Sequence, residues 1–442
     1  MKPMILVTAP VKTRSGYGNH SRDICTALIE SDKYDVKINS VRWGNTPMTA
    51  LEENNSQHDK IKSHLMTGPD LQKQPDVHLH IVIPGEFNPI GRKNVGMTAG
   101  IESTIPIPQW VEGVNRMDET IFTSEFSKAV FEQAAFNIED KQNPNKKQEL
   151  KVNKPMSVLF EGVDTDVYKE TKTFGETTKR AFKPIKEDFC YLFTGHWLGG
   201  SIGKDRKDVG MLIKVFLETF KNTRNQPALL LKTSGADFSI LDREDILNKI
   251  TYIKEGVVGS KLPSIYLIHG DFTDSEMNEL YNHPKVKAHV TFTHGEGFGR
   301  PLLEAAQSGK PIVAPGWSGH VDFLHKNYAQ LLPGSLTKVP MDAFPKDMAF
   351  DSPENKWITV NYNVASSIFT EIHNNYSKYV VKGKQLQAYT KLQFSYEAMK
   401  SKLEAILDPI IASIPQQVEL KLPKLSKVED NKGLKLPKLK KV

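Results

Sequence analysis

The sequence predicts an α/β protein with two domains, each built around a parallel sheet. Its 442 residues exceed what one hydrophobic core usually serves, so domains of about 150 to 200 residues are expected. Short apolar segments alternate with amphipathic ones in two series, which begin at Ile5 and at Phe189. This alternation is typical of strands joined by right-handed helical crossovers. The sequence contains no run of about 18 apolar residues, which argues against a membrane-spanning helix.

The first series opens with a strand, a glycine-containing loop and a helix. The apolar run Ile5–Pro10 precedes Ser15–Gly18, and periodic apolar residues continue to Ile29. A dinucleotide-binding fingerprint would need a third glycine where Ser21 stands and an acid at the end of the second strand, which ends at Arg42. The loop therefore disfavours NAD. A tight turn without a ligand remains the alternative to a ligand-binding loop.

Polar side chains accompany later strands of the first series. Val77–Ile83 alternates histidines with apolar residues, which predicts a half-exposed strand with His78 and His80 on its polar face. No acid or cysteine cluster accompanies them, so a surface role is favoured over a metal site. Strand ends of an open α/β sheet face the ligand crevice. Glu102 and Trp110 are therefore candidates for binding an acceptor, with a buried aromatic as the alternative for Trp110.

The middle of the chain is predicted to consist mainly of loops and a linker between the domains. Residues 137–155 are hydrophilic and predict a surface loop. Asp164-Thr165-Asp166 matches a D-x-D metal pattern, but the turn after the strand at Ser157 explains these acids and is favoured over a metal site. Residues 170–188, rich in Lys, Thr and Glu, predict the linker between the domains.

The second series places cations where strands end and helices begin. Arg206 and Lys207 precede an apolar helix over residues 209–220, and Lys232 ends a buried strand. Cations and oriented backbone amides at such positions suit a phosphate-bearing ligand, whose negative charge they stabilise.

The most informative stretch is Thr293–Ala306, which reads as a loop followed by a helix. Gly297 and Gly299 flank Phe298 and predict a tight backbone with close ligand approach, and a helix start offers N–H groups to an anion. Glu296 and Glu304 are separated by seven residues. A two-carboxylate glycosidase needs its carboxyl groups about 5 to 9.5 Å apart. A helical rise of roughly 12 Å favours contacts with opposite ends of one ligand instead.

This stretch resembles the E-x7-E signature of retaining glycosyltransferases of family 4, which have the GT-B fold. The resemblance covers residues 189–325 well and the first domain more loosely. It implies a nucleoside-diphosphate sugar as donor substrate, no required metal and a C-terminal helix that crosses back to the first domain. The residues that the resemblance assigns as catalytic are Glu296, Arg206 and Lys207. Those that it assigns to donor binding are Gly16, Lys232, Phe272, Gly297, Phe298, Gly299 and Glu304.

Three segments look like a branch of these enzymes that is common in tailed phages. They are Ser15–Asp23, Gly96–Glu102 and Arg206-Lys207. Some phage glycosyltransferases add a sugar to hydroxymethylated pyrimidines, so the resemblance implies 5-hydroxymethylcytosine in phage DNA as the favoured acceptor. The N-terminus lacks a signal-peptide pattern, which predicts a cytoplasmic location, the host cytoplasm if the protein is phage-encoded.

The positive charge is concentrated in a C-terminal tail. Residues 419–442 contain eight lysines and three acids, 8 − 3 = +5, which leaves 6 − 5 = +1 for the preceding chain. The tail repeats one pattern at residues 420–428 and 434–442, and Pro423 and Pro437 oppose a continuous helix. A flexible arm that binds DNA or a partner protein is predicted, with a merely solubilising tail as the alternative.

The resulting domain plan has four parts. Residues 1–170 form an acceptor domain, 171–385 a nucleotide-sugar domain, 386–414 the returning helix and 415–442 the basic tail. Other functions compatible with the sequence are transfer to a polysaccharide, lipid or small molecule, a GT-B epimerase or phosphorylase, and a non-catalytic binding protein.

Overall fold

The computed structural model of the chain describes residues 2–68, 71, 73–140, 143–235, 238–343 and 350–415. The predicted basic tail, from residue 416 onwards, lies outside the described residues.

Strands and helices alternate along both halves of the chain. The strands are β1 (Met4–Ala9), β2 (Asp35–Ser40), β3 (Val77–Ile81), β4 (Lys93–Thr98), β5 (Glu119–Phe122), β6 (Ala135–Asp140), β7 (Asn143–Lys151), β8 (Met156–Val158), β9 (Cys190–Thr194), β10 (Ala228–Lys232), β11 (Ile265–Ile268), β12 (Val286–Val290), β13 (Ile312–Pro315), β14 (Gln330–Leu332), β15 (Gly334–Lys338) and β16 (Lys356–Val360). The helices are α1 (Gly16–Glu30), α2 (Ser56–Ser63), α3 (Pro108–Asn115), α4 (Glu125–Gln133), α5 (Glu176–Phe182), α6 (Val209–Phe220), α7 (Ile240–Glu255), α8 (Asp274–Asn282), α9 (Arg300–Ala306), α10 (Tyr362–Asn374), α11 (Tyr376–Gln393) and α12 (Tyr396–Ala412).

Two parallel six-stranded sheets organise the molecule. The second has the order β11-β10-β9-β12-β13-β14, which is the Rossmann order. The first has the order β2-β1-β3-β4-β5-β8. A single parallel bridge pairs Leu65 with Ile38 of β2, in the place of a further strand beside β2. Counting that bridge, the first six positions of the first sheet follow the order of the second sheet, and β8 adds a seventh. The strand expected after α2 is reduced to one paired residue.

Both sheets are buried on their two faces, which corrects one prediction. His78 and His80 of β3 are 1% and 7% exposed instead of lying on a polar face, because helices cover both sides of a parallel sheet. Nε2 of His78 lies 2.9 Å from Oγ1 of Thr8, and Nδ1 of His80 accepts the Asn88 N–H at 3.2 Å. Burial lowers the pKa of each imidazole to about 4, so both are neutral polar groups of the core.

Several elements were not predicted from the sequence, among them two hairpins and one helix. The expected surface loop at 137–155 contains most of the antiparallel hairpin β6–β7. A second antiparallel hairpin, β15–β16, is inserted between the last strand of the second sheet and α10. Helix α11, which packs against α9, lacks a clear apolar face in the sequence.

Helix α12 returns to the first sheet, as predicted, and completes its core. Met399, Leu403 and Leu407 are buried in the same apolar cluster as Ile5 and Val7 of β1. The helix continues through Pro409 and ends at Ala412.

We expect Leu403→Ala to lower the free energy of unfolding by about 2–5 kcal/mol, because it opens a cavity between α12 and the first sheet. Leu403 is 1% exposed. Leu392→Ala is the matched control, since Leu392 on α11 is 72% exposed and should be nearly neutral. Urea unfolding of both variants measures the difference, and equal effects would contradict the assigned packing of α12.

Candidate active site

Loops at the carboxyl ends of the two sheets meet and form the candidate site. The loop after β12 carries Glu296, the loop between β9 and α6 carries Arg206 and Lys207, and the loop after β4 carries Glu102. In an open parallel sheet, ligands bind at this edge where the strand order reverses, which here is between β9 and β12.

The loop from Gly295 to Gly299 owes its shape to close contact with the first domain. A Cβ on Gly297 would lie 2.6 Å from the carbonyl oxygen of Ala99, and one on Gly295 would lie 2.3 Å from that of Glu102. Gly299 has φ 94°, a left-handed conformation that suits glycine, and caps the start of α9. The glycine at 297 therefore serves approach by protein backbone, where the sequence had predicted approach by a ligand.

Lys207 and Glu296 form a largely buried ion pair at the centre of the site. Nζ of Lys207 contacts Oε1 of Glu296, and the two side chains are 14% and 13% exposed. Burial alone would raise the pKa of Glu296, but the charges of Lys207 and Arg206 outweigh it and hold that pKa below its usual value. Glu296 is therefore ionised at neutral pH.

Arg206 links the second domain to the first. Its guanidinium contacts Oε1 of Glu102 across the cleft, and both side chains remain partly exposed, at 22% and 26%. The backbone carbonyl of Arg206 also accepts the N–H of His294 at 2.9 Å. The loop with the two cations and the loop with Glu296 are thus joined through their backbones.

A buried group of side chains behind these loops holds them in place. Asp208 has φ 50° at the start of α6, and its Oδ2 accepts the hydroxyl of Tyr362 at 2.7 Å. His294 donates from Nδ1 to the carbonyl of Ile358 at 2.6 Å and stacks on Trp357, with ring centroids 4.2 Å apart. Sequence reasoning missed this group because Ile358 and Trp357 belong to the hairpin β15–β16, whose position no local pattern reveals.

Lys232 extends the positive region to the end of β10. Its Nζ donates to the carbonyl of Gly270 at 2.6 Å and lies 4.7 Å from the ring centroid of Phe272. Burial lowers its pKa to about 8, although Asp271 favours the charged form. The structure thus places the ammonium group of Lys232 over the ring of Phe272.

Glu304 lies on α9 and is engaged differently from Glu296. Its Oε1 lies 2.9 Å from Nε of Arg300, and its Oε2 accepts the hydroxyl of Tyr281 at 3.3 Å. Burial raises the pKa of Glu304 to about 7; Arg300 opposes this rise and Asp274 adds to it. The two motif glutamates therefore have separate partners and different protonation behaviour.

The remaining predicted residues fall into different places. Gly16 opens α1, where Ser15 accepts the N–H of Gly18 at 3.0 Å, and a Cβ on Gly16 would meet no atom within 4 Å. Phe298 is 2% exposed and packs on Phe323, so only its backbone can face a ligand.

Trp110 does not reach the cleft, which corrects its assignment as an acceptor-binding residue. It is 2% exposed, lies on α3 and packs in an apolar cluster of the first domain with Val111 and Phe122. Trp110 is therefore a buried aromatic residue of the core, which was the alternative interpretation of the sequence. Glu102 remains in the cleft.

The acids of the Asp164-x-Asp166 pattern belong to a turn. Oδ1 of Asp164 accepts the N–H groups of Asp166 at 2.8 Å and of Val167 at 3.3 Å. Within the part of the chain that the structure describes, no cluster of three or more His, Cys, Asp or Glu side chains is arranged to hold a metal ion. Among the helices of the same residues, none is both long and apolar enough to cross a membrane.

Solved glycosyltransferase structures share this architecture. HepE of Anabaena in complex with UDP-glucose matches with a TM-score of 0.57 at 14% identity, over 92% of this chain and 99% of that chain. Sucrose-phosphate synthase of Thermosynechococcus elongatus matches with a TM-score of 0.60 at 12% identity, over 93% and 100%. A glycosyltransferase of Rickettsia africae matches with a TM-score of 0.57 at 12% identity, over 93% and 99%.

The fold is GT-B. At these identities the similarity establishes the architecture, and it confirms the predicted pair of parallel-sheet domains. No protein-family model matches the sequence, and no curated protein is significantly similar to it.

We expect Gly297→Ala to lower the free energy of unfolding by about 1–3 kcal/mol, since its Cβ would overlap the Ala99 carbonyl and push the two domains apart. Gly68→Ala is the control, because a Cβ there meets no atom within 4 Å. Chemical denaturation compares the two. An unchanged stability of Gly297→Ala would show that the domains are not packed together at this loop in solution.

Proposed function

We propose that the protein is a retaining glycosyltransferase that moves a sugar from a nucleoside-diphosphate sugar to a hydroxyl group. The observation that carries the proposal is the ionised Glu296 beside Lys207 and Arg206 at the switch point of a GT-B fold. The carboxylate can accept hydrogen bonds from sugar hydroxyls, and the two cations can bind a leaving diphosphate.

The cations have the task of stabilising the leaving group. As the bond between the sugar and the diphosphate breaks, negative charge grows on the phosphate oxygens. Arg206 and Lys207 lie beside the cleft, and Lys232 adds a third positive charge at the end of β10. Preorganised cations of this kind stabilise the developing charge without a bound metal, so we propose that the reaction needs none.

Glu296 is assigned to the donor sugar and not to acid catalysis. A general acid must be protonated at the working pH, whereas the charges of Lys207 and Arg206 hold the pKa of Glu296 below its usual value. An ionised carboxylate accepts hydrogen bonds from sugar hydroxyls and favours positive charge that develops at the sugar carbon. In a retaining reaction of this type, the leaving phosphate takes the acceptor's proton and attack occurs on the same face.

The remaining parts of the donor substrate are assigned to residues around the same cleft. Glu304 is assigned to the ribose hydroxyls, Phe272 to the side of the nucleobase, and Gly16 with the amides of residues 297–299 to the phosphates and sugar. A uridine nucleotide is the favoured donor, because the structurally similar HepE was solved with UDP-glucose.

The favoured acceptor is 5-hydroxymethylcytosine in DNA, and the favoured location is the cytoplasm, that of the host if the protein is phage-encoded. The phage-like segments and the basic tail support this choice, since the tail carries a net charge of +5 on a nearly neutral chain and DNA is a polyanion. Glu102 is assigned to the acceptor side because it lies in the loop after β4 and faces Arg206.

Incubation of the protein with radiolabelled UDP-sugars and DNA tests this function. We expect label to enter DNA that contains 5-hydroxymethylcytosine and not the same DNA with unmodified cytosine. Glu296→Gln should lower the transfer rate by about 10²-fold or more, by analogy with the loss of one electrostatic contact to a transition state. Thermal unfolding checks that the variant is folded.

Other outcomes of this assay separate the alternatives. Label in an oligosaccharide or a lipid, and never in DNA, would move the acceptor to those classes. Isomerised or released sugar without any acceptor would indicate an epimerase or phosphorylase. Full transfer by Glu296→Gln would overturn the catalytic assignment, and nucleotide binding without any turnover would indicate a binding protein.

We expect the affinity for UDP to fall as pH rises above about 8. Burial lowers the pKa of Lys232 to about 8, so the unliganded lysine loses its proton from there upward. A bound phosphate favours the protonated form, so affinity is complete below that pKa and decreases by at most about tenfold per pH unit above it. Isothermal titration between about pH 7 and pH 9.5 measures the slope. Lys232→Met should abolish it, and an unchanged slope in that variant would exclude Lys232 as the cause.

A further inference from the structure

Arg300 joins the two domains through a buried cluster of charges. Its guanidinium contacts Asp23 on α1, and its Nε lies 2.9 Å from Oε1 of Glu304, one turn further along α9. The side chains of Arg300, Asp23 and Glu304 are 12%, 21% and 8% exposed. Because α1 packs in the core of the first sheet and α9 in that of the second, one arginine holds a carboxylate from each domain.

A third carboxyl group near Arg300 lies close to the point where the chain crosses between the domains. Glu161 follows β8 and is 7% exposed. Burial raises its pKa to about 8, and the charge of Arg300 opposes that rise. Two residues later, Val163 donates its N–H to the carbonyl of Phe394 at 2.9 Å and accepts the N–H of Tyr396 at 2.8 Å. The chain crosses between the domains near Val163 and again near Phe394 and Tyr396, and these two segments lie side by side next to the cluster.

The geometry of Arg300 leaves one oxygen of Glu304 for other partners. A free arginine tends to bind both oxygens of a carboxylate with its planar fork. Here only Nε faces Oε1 of Glu304, since the terminal nitrogen Nη1 faces Asp23. Oε2 of Glu304 accepts the hydroxyl of Tyr281 at 3.3 Å and is not bound by the arginine.

We propose that Arg300 is a positioning residue that transmits closure of the two domains to Glu304. The proposal rests on the proposed function, in which Glu304 contacts the ribose of the sugar donor. When the domains close, Asp23 binds the terminal nitrogen Nη1 of Arg300, and Glu304 keeps an oxygen for the ribose. When they open, Asp23 withdraws and Arg300 turns its fork to both oxygens of Glu304, which competes with the ribose.

Titration of UDP into Asp23→Asn tests the proposal. We expect the dissociation constant to rise about tenfold, within the usual range of coupling between sites. At saturating sugar donor, kcat should stay within about twofold of the unaltered enzyme, because the interaction concerns binding and not the reacting atoms. Arg300→Lys should not bind UDP with the affinity of the unaltered enzyme. Lysine lacks the planar guanidinium that holds one carboxylate through Nε and another through Nη1.

Asp322→Asn is the matched control. Oδ2 of Asp322 accepts the N–H of Glu125 on α4 at 2.8 Å, so this variant also removes a contact between the domains, but one that does not involve Glu304. We expect it to change the affinity for UDP less than twofold. An equal loss in both variants would overturn the proposal, because any contact between the domains would then have the same effect.

Glu304→Gln separates failure of this proposal from failure of the proposed function. If Glu304→Gln binds UDP normally, the assignment of the ribose to Glu304 is wrong. If it binds weakly and Asp23→Asn binds normally, the donor assignment stands and the role of Arg300 is wrong. The double variant Asp23→Asn/Glu304→Gln should bind UDP no more weakly than Glu304→Gln alone. If the two losses of binding free energy add up instead, Asp23 and Glu304 act independently. Thermal unfolding of each variant with and without UDP excludes a general loss of structure.

Discussion

The ion pair between Lys207 and Glu296 sets the demands that the surrounding structure meets. Each charge pays a desolvation cost of several kcal/mol on burial, which only a close partner and further polar contacts offset. The two residues lie on different loops, so the pair exists only if both loops are fixed. The hydrogen bond from His294 to the Arg206 carbonyl and the stacking of His294 on Trp357 provide that fixation.

The same requirement explains why the inserted hairpin β15–β16 matters although it belongs to neither sheet. The carbonyl of Ile358, on its second strand, accepts a hydrogen bond from Nδ1 of His294 and so fixes the imidazole. It also reaches the first domain, where the N–H of Thr104 donates to the carbonyl of Lys356 at 2.8 Å. Thr104 lies two residues after Glu102, so one hairpin contacts the loops that carry residues from both sides of the cleft. A site between two domains gains rigidity from an element that touches both.

Much of the architecture could be predicted from local pattern, because buried parallel strands and helix starts leave strong signals over a few residues. The second series, the cations before α6 and the glutamate motif are of this kind. Hairpin β15–β16 could not be predicted, since its strands are separated by 17 residues and β15 is exposed along its whole length. Trp110 was misassigned because sequence order shows that it follows a strand end but not which way its helix turns. His78 was misassigned because alternation predicts an exposed face only where no second layer of helices covers it.

The return of α12 to the first sheet also constrains how the chain folds during synthesis. The core around Ile5 and Val7 contains Met399, Leu403 and Leu407, which are made roughly 400 residues later. Domains usually fold in the order in which they are made. Here the second sheet, whose strands span residues 190–332, can assemble before the first sheet has its last helix. The first sheet is begun before the second and completed after it, so the part of its core that α12 covers stays open while the second sheet is made.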